Sequence, residues 1–399
     1  MPSRASIFKV PALRFPEFSG EWTKIKLRDL GSFFSGGTPS SSRKDYYGGE
    51  IPFIRSGELH SDSTALSITK EAYDSCSAKM VNKGDLLLAL YGATSGDISI
   101  SRICGAINQA ILCIRPQYMD AYFIKSLWEK HKKHILETYL QGGQGNLSSE
   151  IIKNISFFFP NSDEQVKISR LIHIIDDRIE TQSKIIEELK TLRGALNESL
   201  YCCCESYQEL SLNDVGVSYS GLSGKSGNDF GSGYPFIPYT NIFTNNIIDE
   251  GQLDYVQVRE GESQNSVCFG DLLMTLSSET PEEVGIGAVY LGHESPLYLN
   301  SFAFGIHITR TDLVYPPYLS WLVSTKSFRK FILPYAQGST RYNLQKTDFM
   351  KAKYRFPTLG RQKAISVLLS GYSSKIENEE RVLNKYTALK QGLIEQLFI

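Results

Sequence analysis

Long apolar runs are missing from this chain. No stretch reaches the roughly 18 apolar residues that a membrane helix requires. The N-terminus, MPSRASIFKVPALRFPEF, has no apolar core of signal-peptide length, so a cytoplasmic protein is expected. A net excess of charge of either sign is missing as well. A formal net charge of −1 excludes a free-standing, nonspecific nucleic-acid binder, which would be basic. Cysteines are few and odd in number, Cys76, Cys104, Cys113, Cys202, Cys203, Cys204 and Cys268, which points to reduced thiols. The CCC at 202–204 has no C-x-x-C spacing and no nearby histidine, so it reads as a helix end or linker. A P-loop is also absent: YSGLSGKS at 219–226 has Tyr219 where the first glycine belongs, and GNDFGSGYPF after it is no helix. His131 and His134 lie on a Lys-rich helical face and read as solvated, and His173 as flanking or exposed. No metal site is expected.

What is present is a repeat. QGGQGNLSSEIIKNISFFFP (141–160) and QGSTRYNLQKTDFMKAKYRFP (337–357) share Gln-Gly, Asn-Leu and a closing Phe-Pro. Asn146 aligns with Asn343 and Pro160 with Pro357, each 197 residues apart. Upstream, IKLRDLGSFFSGG echoes LSLNDVGVSYSGL, EIPFIRSGEL echoes YPFIPYTNI, KGDLLLAL echoes FGDLLMTL and AINQAILCI echoes YLNSFAFGI. Each unit predicts short strands punctuated by Gly, Pro, Asn and Asp, then an amphipathic helix (120–140 and 316–335), a Gly/Asn loop, a last strand and a long helix.

The long helices carry the clearest periodicity. Ile168, Ile172, Ile175, Ile179, Gln182, Ile186, Leu189, Arg193, Leu196 and Leu200 step by four and three; Ile365, Leu369, Tyr372, Ile376, Glu379, Leu383, Tyr386, Lys390, Leu393 and Leu397 repeat them. An apolar period of about 3.5 is a coiled-coil seam. Some 36 residues span roughly 54 Å, too long to bury inside one small sheet domain, so each helix should pair with its duplicate. A pseudo-two-fold makes the pair antiparallel and sets Arg193 opposite Glu379 and Gln182 opposite Lys390. The expected fold is α+β: two similar mixed α/β heads joined by two long helices in an antiparallel intramolecular coiled coil. The expected boundaries are an arm (1–20), a first head (21–163), a helix (164–201), a linker (202–208), a second head (209–359) and a helix (360–399). Two heads on a rod could read two short sequences on a duplex; about 54 Å corresponds to roughly 16 base pairs.

At this point the chain resembles a known family, the specificity (S) subunits of type I restriction–modification systems. The resemblance rests on PALRFPEFSGEW, SGGTPS followed by YYGGEIPFIRSGEL, GDLLLALYGATSG, SSETPEEVG, and the two Asn-Leu to Phe-Pro segments leading into EQ- or RQ-initiated helices. It implies that each head is a target recognition domain for half of a bipartite DNA site. It also implies that the helices dock two modification (methyltransferase) subunits and that the chain has no catalysis of its own. Restriction/translocase subunits are a further expected partner, and a membrane is not. Cofactors are expected in partner subunits only: S-adenosylmethionine, ATP and Mg. The chain has no N-P-P-[YF] or D-P-P-[YF] motif, in keeping with that.

Base reading needs polar side chains with defined donors and acceptors on loops held by a scaffold. The candidates in the first head are the Ser35–Ser42 loop with Arg43 and Lys44, then Arg55, Ser56, Tyr91, Thr94, Ser95, and residues 141–146 including Gln144 and Asn146. In the second they are Ser223–Ser226, Tyr239, Thr240, Asn241, Ser277, Ser278 and residues 337–342 including Thr340, Arg341 and Tyr342. Residues 321–363 carry ten Lys/Arg and one acid, so Lys326, Arg329, Lys330, Lys346, Lys351 and Lys353 are phosphate candidates, with Lys125, Lys130, Lys132 and Lys133 in the first head. Residues 249–294 carry ten acids and one Arg and would have to face away. That acidic segment suits a competing reading, a coiled-coil adaptor with duplicated protein-binding modules; a diverged single-chain enzyme is the third.

Overall fold

The computed structural model describes residues 9–140, 146–203 and 206–399. It divides into two compact units, residues 1–183 with 381–399, and residues 184–380. Each unit is a head plus one part of each long helix, because the helices (Ser162–Cys202 and Leu359–Leu397) run past their own heads.

The first head holds a four-stranded sheet in the order Gly31–Ser35, Ile111–Pro116, Leu86–Ala89, Ile98–Ile100. Its second sheet runs Ser67–Ile68, Tyr47–Ile54, Gly105–Ile107, Lys79–Val81. The second head repeats the first sheet as Gly216–Ser220, Ala303–Ile308, Leu272–Thr275, Gly287–Val289. Register follows the repeat: Leu86 faces Ile114, and Leu272 faces Ile306. In the strand LLLA, Leu86 and Leu88 enter one core with Trp22, Phe123 and Trp128, while Leu87 and Ala89 enter another with Ile54, Val81 and Ile107. Alternate side chains point to opposite faces, so a strand covered on both sides reads as an unbroken apolar run. Each such leucine contributes roughly 2 kcal/mol of burial.

The repeated Gly-Asp before this strand has one cause. Gly84 and Gly270 sit at φ +98° and +90°, where a side chain is strained. The next carboxylate closes the turn: Asp85 accepts from the Asn82 N–H at 2.8 Å and Asp271 from the Cys268 N–H at 2.9 Å.

The final strand of each head pairs antiparallel with its first, Ser156–Phe159 with Thr23–Lys26 and Lys353–Pro357 with Tyr207–Ser211. A buried glutamine then ties the strand end to the long helix. Gln165 Nε2 donates to the Pro160 carbonyl at 2.9 Å, and Gln362 Nε2 to the Pro357 carbonyl at 2.8 Å. This accounts for the Phe-Pro and the EQ/RQ helix starts.

The amphipathic helix expected over 120–140 is continuous as Ala121–Leu140. Its counterpart is not. It breaks into Pro316–Leu322 and Lys326–Ile332. Ser324 and Thr325 hydroxyls bond back to the Trp321 and Leu322 carbonyls, and Thr325 Oγ1 accepts from the Phe328 N–H to start the next helix. Such side chains compete with the helical ladder.

Every apolar seam position is buried or half-buried. Ile168, Ile172, Ile175, Ile186, Ile365, Leu369, Ile376 and Leu397 are buried, and Ile179, Leu189, Leu196, Leu200, Leu383 and Leu393 half-buried. Within the second unit, Lys190 pairs with Glu380 and Arg193 with Ser373, while Leu196 and Leu200 join Ile365 and Leu369 in one core. One helix ascends as the other descends, so the pair is antiparallel. The expected polar pairs across the seam do not form. Arg193 donates to Ser373, not Glu379, which pairs with Lys375. Lys390 meets Asp176, not Gln182. The physical reason lies in the heads: Leu393, Ile394, Leu397 and Phe398 plug into the first core beside Ile168 and Ile172, and this end-docking sets the register.

Candidate nucleic-acid interface

The Asn-Leu pair of each repeat is an anchor. Leu147 and Leu344 are buried, and their N–H groups donate to equivalent carbonyls, Leu90 at 2.9 Å and Leu276 at 2.8 Å. The loop before each leucine is thereby held against the loop that follows the central strand.

In the second unit this brings five expected readers together. Ser277 and Ser278 pair with Asn343 and Tyr342, and the other side of the 342–344 strand pairs with Ala336–Gln337, making 337–342 a hairpin. Tyr239, Ser277, Ser278, Thr340 and Arg341 line one open depression of about 760 Å³ with Phe243, Glu279, Glu283 and Phe302. Tyr239 Oη donates to the Ser277 carbonyl at 3.0 Å. The Arg341 guanidinium lies 5.6 Å from the exposed Phe302 ring. Ser278 Oγ donates to Glu283 at 2.8 Å.

This set can do more than attract phosphate. Two carboxylates in the depression repel a phosphodiester, yet they accept from an exocyclic amine such as cytosine N4. Arg341 supplies the complementary fork for guanine. Phe243, Phe302, Glu279 and Glu283 were not among the residues expected from sequence. The one available signal was Phe302, a large aromatic at the repeat position of Ala110.

In the first unit, Ser95 Oγ donates to the same Leu90 carbonyl that Leu147 anchors, so Tyr91, Thr94 and Ser95 lie beside the segment containing exposed Asn146. Gln144 lies outside the described residues. Ser56 occupies the repeat position of Tyr239. Arg43 is exposed but bound to Asp45 and laid over the Tyr46 ring; Lys44 is exposed. Arg55 is engaged by Glu58.

Some candidates are committed to contacts that stabilise their own unit. Asn241 is fully buried; its amide donates to the Asp249 and Gln252 carbonyls and accepts from the Asp249 N–H, so it shapes a turn, while neighbouring Thr240 is exposed. Lys125 is largely buried between Glu129 and Asp176. Lys130 donates to the Glu395 and Phe398 carbonyls and so caps the last helix, as a cation at a helix C-terminus should. Lys132 pairs with Asp97. Arg329 donates to the Glu282, Val284 and Gly285 carbonyls, and burial lowers its pKa. Lys346 is half-buried with its ammonium 4.8 Å from the Phe304 ring centroid. Lys133, Lys326, Lys330, Lys351 and Lys353 are exposed. His131 is not solvated: its Nε2 lies 2.8 Å from the Ile399 carbonyl and its ring stacks on Phe157. His134 and His173 are exposed.

Comparison with known proteins fits this architecture. Residues 19–191 match the family model for the type I restriction modification DNA specificity domain. The type I restriction enzyme MjaIX specificity subunit of Methanocaldococcus jannaschii is 28% identical over 207 residues, 49% of this chain and 47% of that one. The HindI specificity subunit of Haemophilus influenzae is 27% identical over 154 residues, 36% of this chain and 32% of that one. The matches therefore span half or less of these relatives' lengths. The crystal structure of the S subunit of a type I restriction–modification system from M. genitalium shares the fold, with a TM-score of 0.58 at 15% identity, covering 98% of this chain and 99% of that one. The chain is built as a duplicated pair of mixed α/β heads with long antiparallel helices. Residues 19–191 thus carry a type I restriction modification DNA specificity domain, and the chain is similar to specificity subunits of such systems. Among the described residues, no helix is long and apolar enough to cross a membrane.

Proposed function

We propose that this chain gives a type I restriction–modification complex its DNA sequence specificity. Each head reads half of a bipartite site, the helices dock two methyltransferase subunits, and the chain catalyses nothing itself. The observation that carries the reading is the depression beside the buried Leu344 anchor, where Arg341, Tyr239, Ser277, Ser278 and Thr340 meet. Its donors and acceptors suit base edges, and the loop filling it differs between the repeats while the leucine anchor is kept. The helices support a protein partner: Leu192 and its repeat counterpart Leu389 are exposed apolar residues, as are Ile174, Ile185 and Val367 on the same two helices. On this reading S-adenosylmethionine, ATP and Mg act in the partner subunits.

Methylome sequencing of the host with and without the gene tests it. Loss of one bipartite adenine-methylated motif is the expected result; an unchanged methylome sinks the proposal. Co-purification should return a methyltransferase at about two copies per chain.

A further inference from the structure

The repeat exposes a second chemistry in the second unit. In the first, Asp85 is neutralised by a permanent cation: Arg115 Nε and Nη2 donate to it at 2.9 and 2.6 Å, and the Arg115 guanidinium lies over Phe34. The equivalent positions in the second unit are Asp271, His307 and Tyr219, and Asn82 is replaced by Cys268. An arginine-bound carboxylate has become a buried carboxylate faced by a histidine and a cysteine. The Cys268 Sγ, an Asp271 carboxylate oxygen and a His307 ring nitrogen lie within 4.8 Å of one another.

We propose that Cys268, Asp271 and His307 form a binding site for a divalent ion of the zinc class. Zinc takes thiolate, imidazole and carboxylate ligands at about 2.0–2.3 Å, which places the ligand atoms roughly 3.3–3.8 Å apart in a tetrahedron. His307 Nδ1 and Asp271 Oδ1 stand 2.9 Å apart, and a rotation of exposed Cys268 brings in the third ligand. The surroundings are already organised. Tyr219 Oη donates to Asp271 Oδ2 at 2.7 Å, the Cys268 N–H donates to the same oxygen at 2.9 Å, and the Tyr219 ring stacks on His307 at 4.2 Å. Such outer contacts orient metal ligands. A thiolate, a carboxylate and a neutral imidazole balance a divalent charge, replacing the one Arg115 supplies in the other unit. His307 and Cys268 keep solvent access, which leaves a path for the ion and a fourth ligand position for water.

The test uses the full, untagged chain with Cys202, Cys203 and Cys204 changed to serine to remove the adjacent thiols, stripped of metal and titrated with zinc against a chelating dye. One zinc per chain is expected, bound at least on the order of tenfold tighter than by Cys268→Ser or His307→Arg derivatives. Cobalt should give a thiolate charge-transfer band in the parent and none in Cys268→Ser. His307→Arg installs the cation of the first unit and should fold without metal. If it does not fold, Cys268→Ser, at an exposed position, carries the comparison. Equal zinc affinity in parent and variants, no zinc binding by the parent, or cobalt bound without the thiolate band overturns the proposal.

Discussion

Lys390 and Asp176 meet at 2.8 Å, and the positions 197 residues away from each in the repeat, Arg193 and Ser373, also meet at 2.8 Å. One helix–helix contact is thus written twice, an ion pair in the first unit and a charge-assisted hydrogen bond to a hydroxyl in the second. In the first, Glu129 also binds Lys390 at 3.0 Å and Lys125 also binds Asp176 at 3.2 Å.

Both partners are mostly buried, so breaking the pair strands a charge. Lys390→Ala should cost about 2–3 kcal/mol in urea unfolding. The pH signs follow from the two shifts. Burial alone would raise the Asp176 carboxyl, but Lys125, Lys390 and the Tyr122 hydroxyl outweigh it and hold it below the usual range. Its stabilisation is complete above the unfolded aspartate pKa and is lost as pH falls through the lower folded value. Burial disfavours charged Lys390, but Glu129 and Asp176 outweigh it and raise its pKa. That contribution is complete below the unfolded lysine pKa and is lost as pH rises through the higher folded value. Asp176→Asn should flatten the acid limb of the stability profile; an unchanged limb would refute the assignment.

Gln362 is fully buried and makes three bonds: Nε2 to the Leu313 and Pro357 carbonyls, and Oε1 from the Tyr315 N–H. Gln362→Ala leaves those groups unpaired and should cost about 3 kcal/mol. Gln362→Glu keeps the size but removes the donor, and should also destabilise. Thermal unfolding of both variants checks this.

Arg341→Ala should remove about 1–3 kcal/mol of discrimination at one base pair. The methylated motif would then relax in one half-site and keep the other. Phe302→Ala frees the guanidinium from its aromatic support and should relax the same position more weakly. Relaxation in both half-sites would contradict assignment of the depression to one head.

The cations divide into two classes with opposite readouts. Neutralising exposed Lys351 or Lys353 should weaken DNA binding by the assembled complex equally across sequences and lower the salt slope by about one per residue, without changing unfolding. Arg329→Ala should instead destabilise the head, because three carbonyls lose their donor. A normal melting curve for that variant would show its role is misread. The chain without partner subunits should bind DNA weakly at physiological salt.

The internal repeat, the two long helices and their seam were legible in the sequence. These rest on local periodicity and on short motifs with local causes, such as Gly84 at positive φ before a turn-closing Asp85. Four things were decided only by tertiary packing. The helix register depends on Phe398 and its neighbours entering the first core, which no spacing rule reports. A lysine's role depends on whether a carboxylate or a helix end lies within reach, so exposed Lys133 and committed Lys130 look alike in a linear string. The depression gathers residues from segments around 239, 278, 302 and 341, and its acids come from the stretch that composition alone assigned to the far side. Cys268, Asp271 and His307 converge because two strands pair in register, and sequence distance conceals what that pairing brings together.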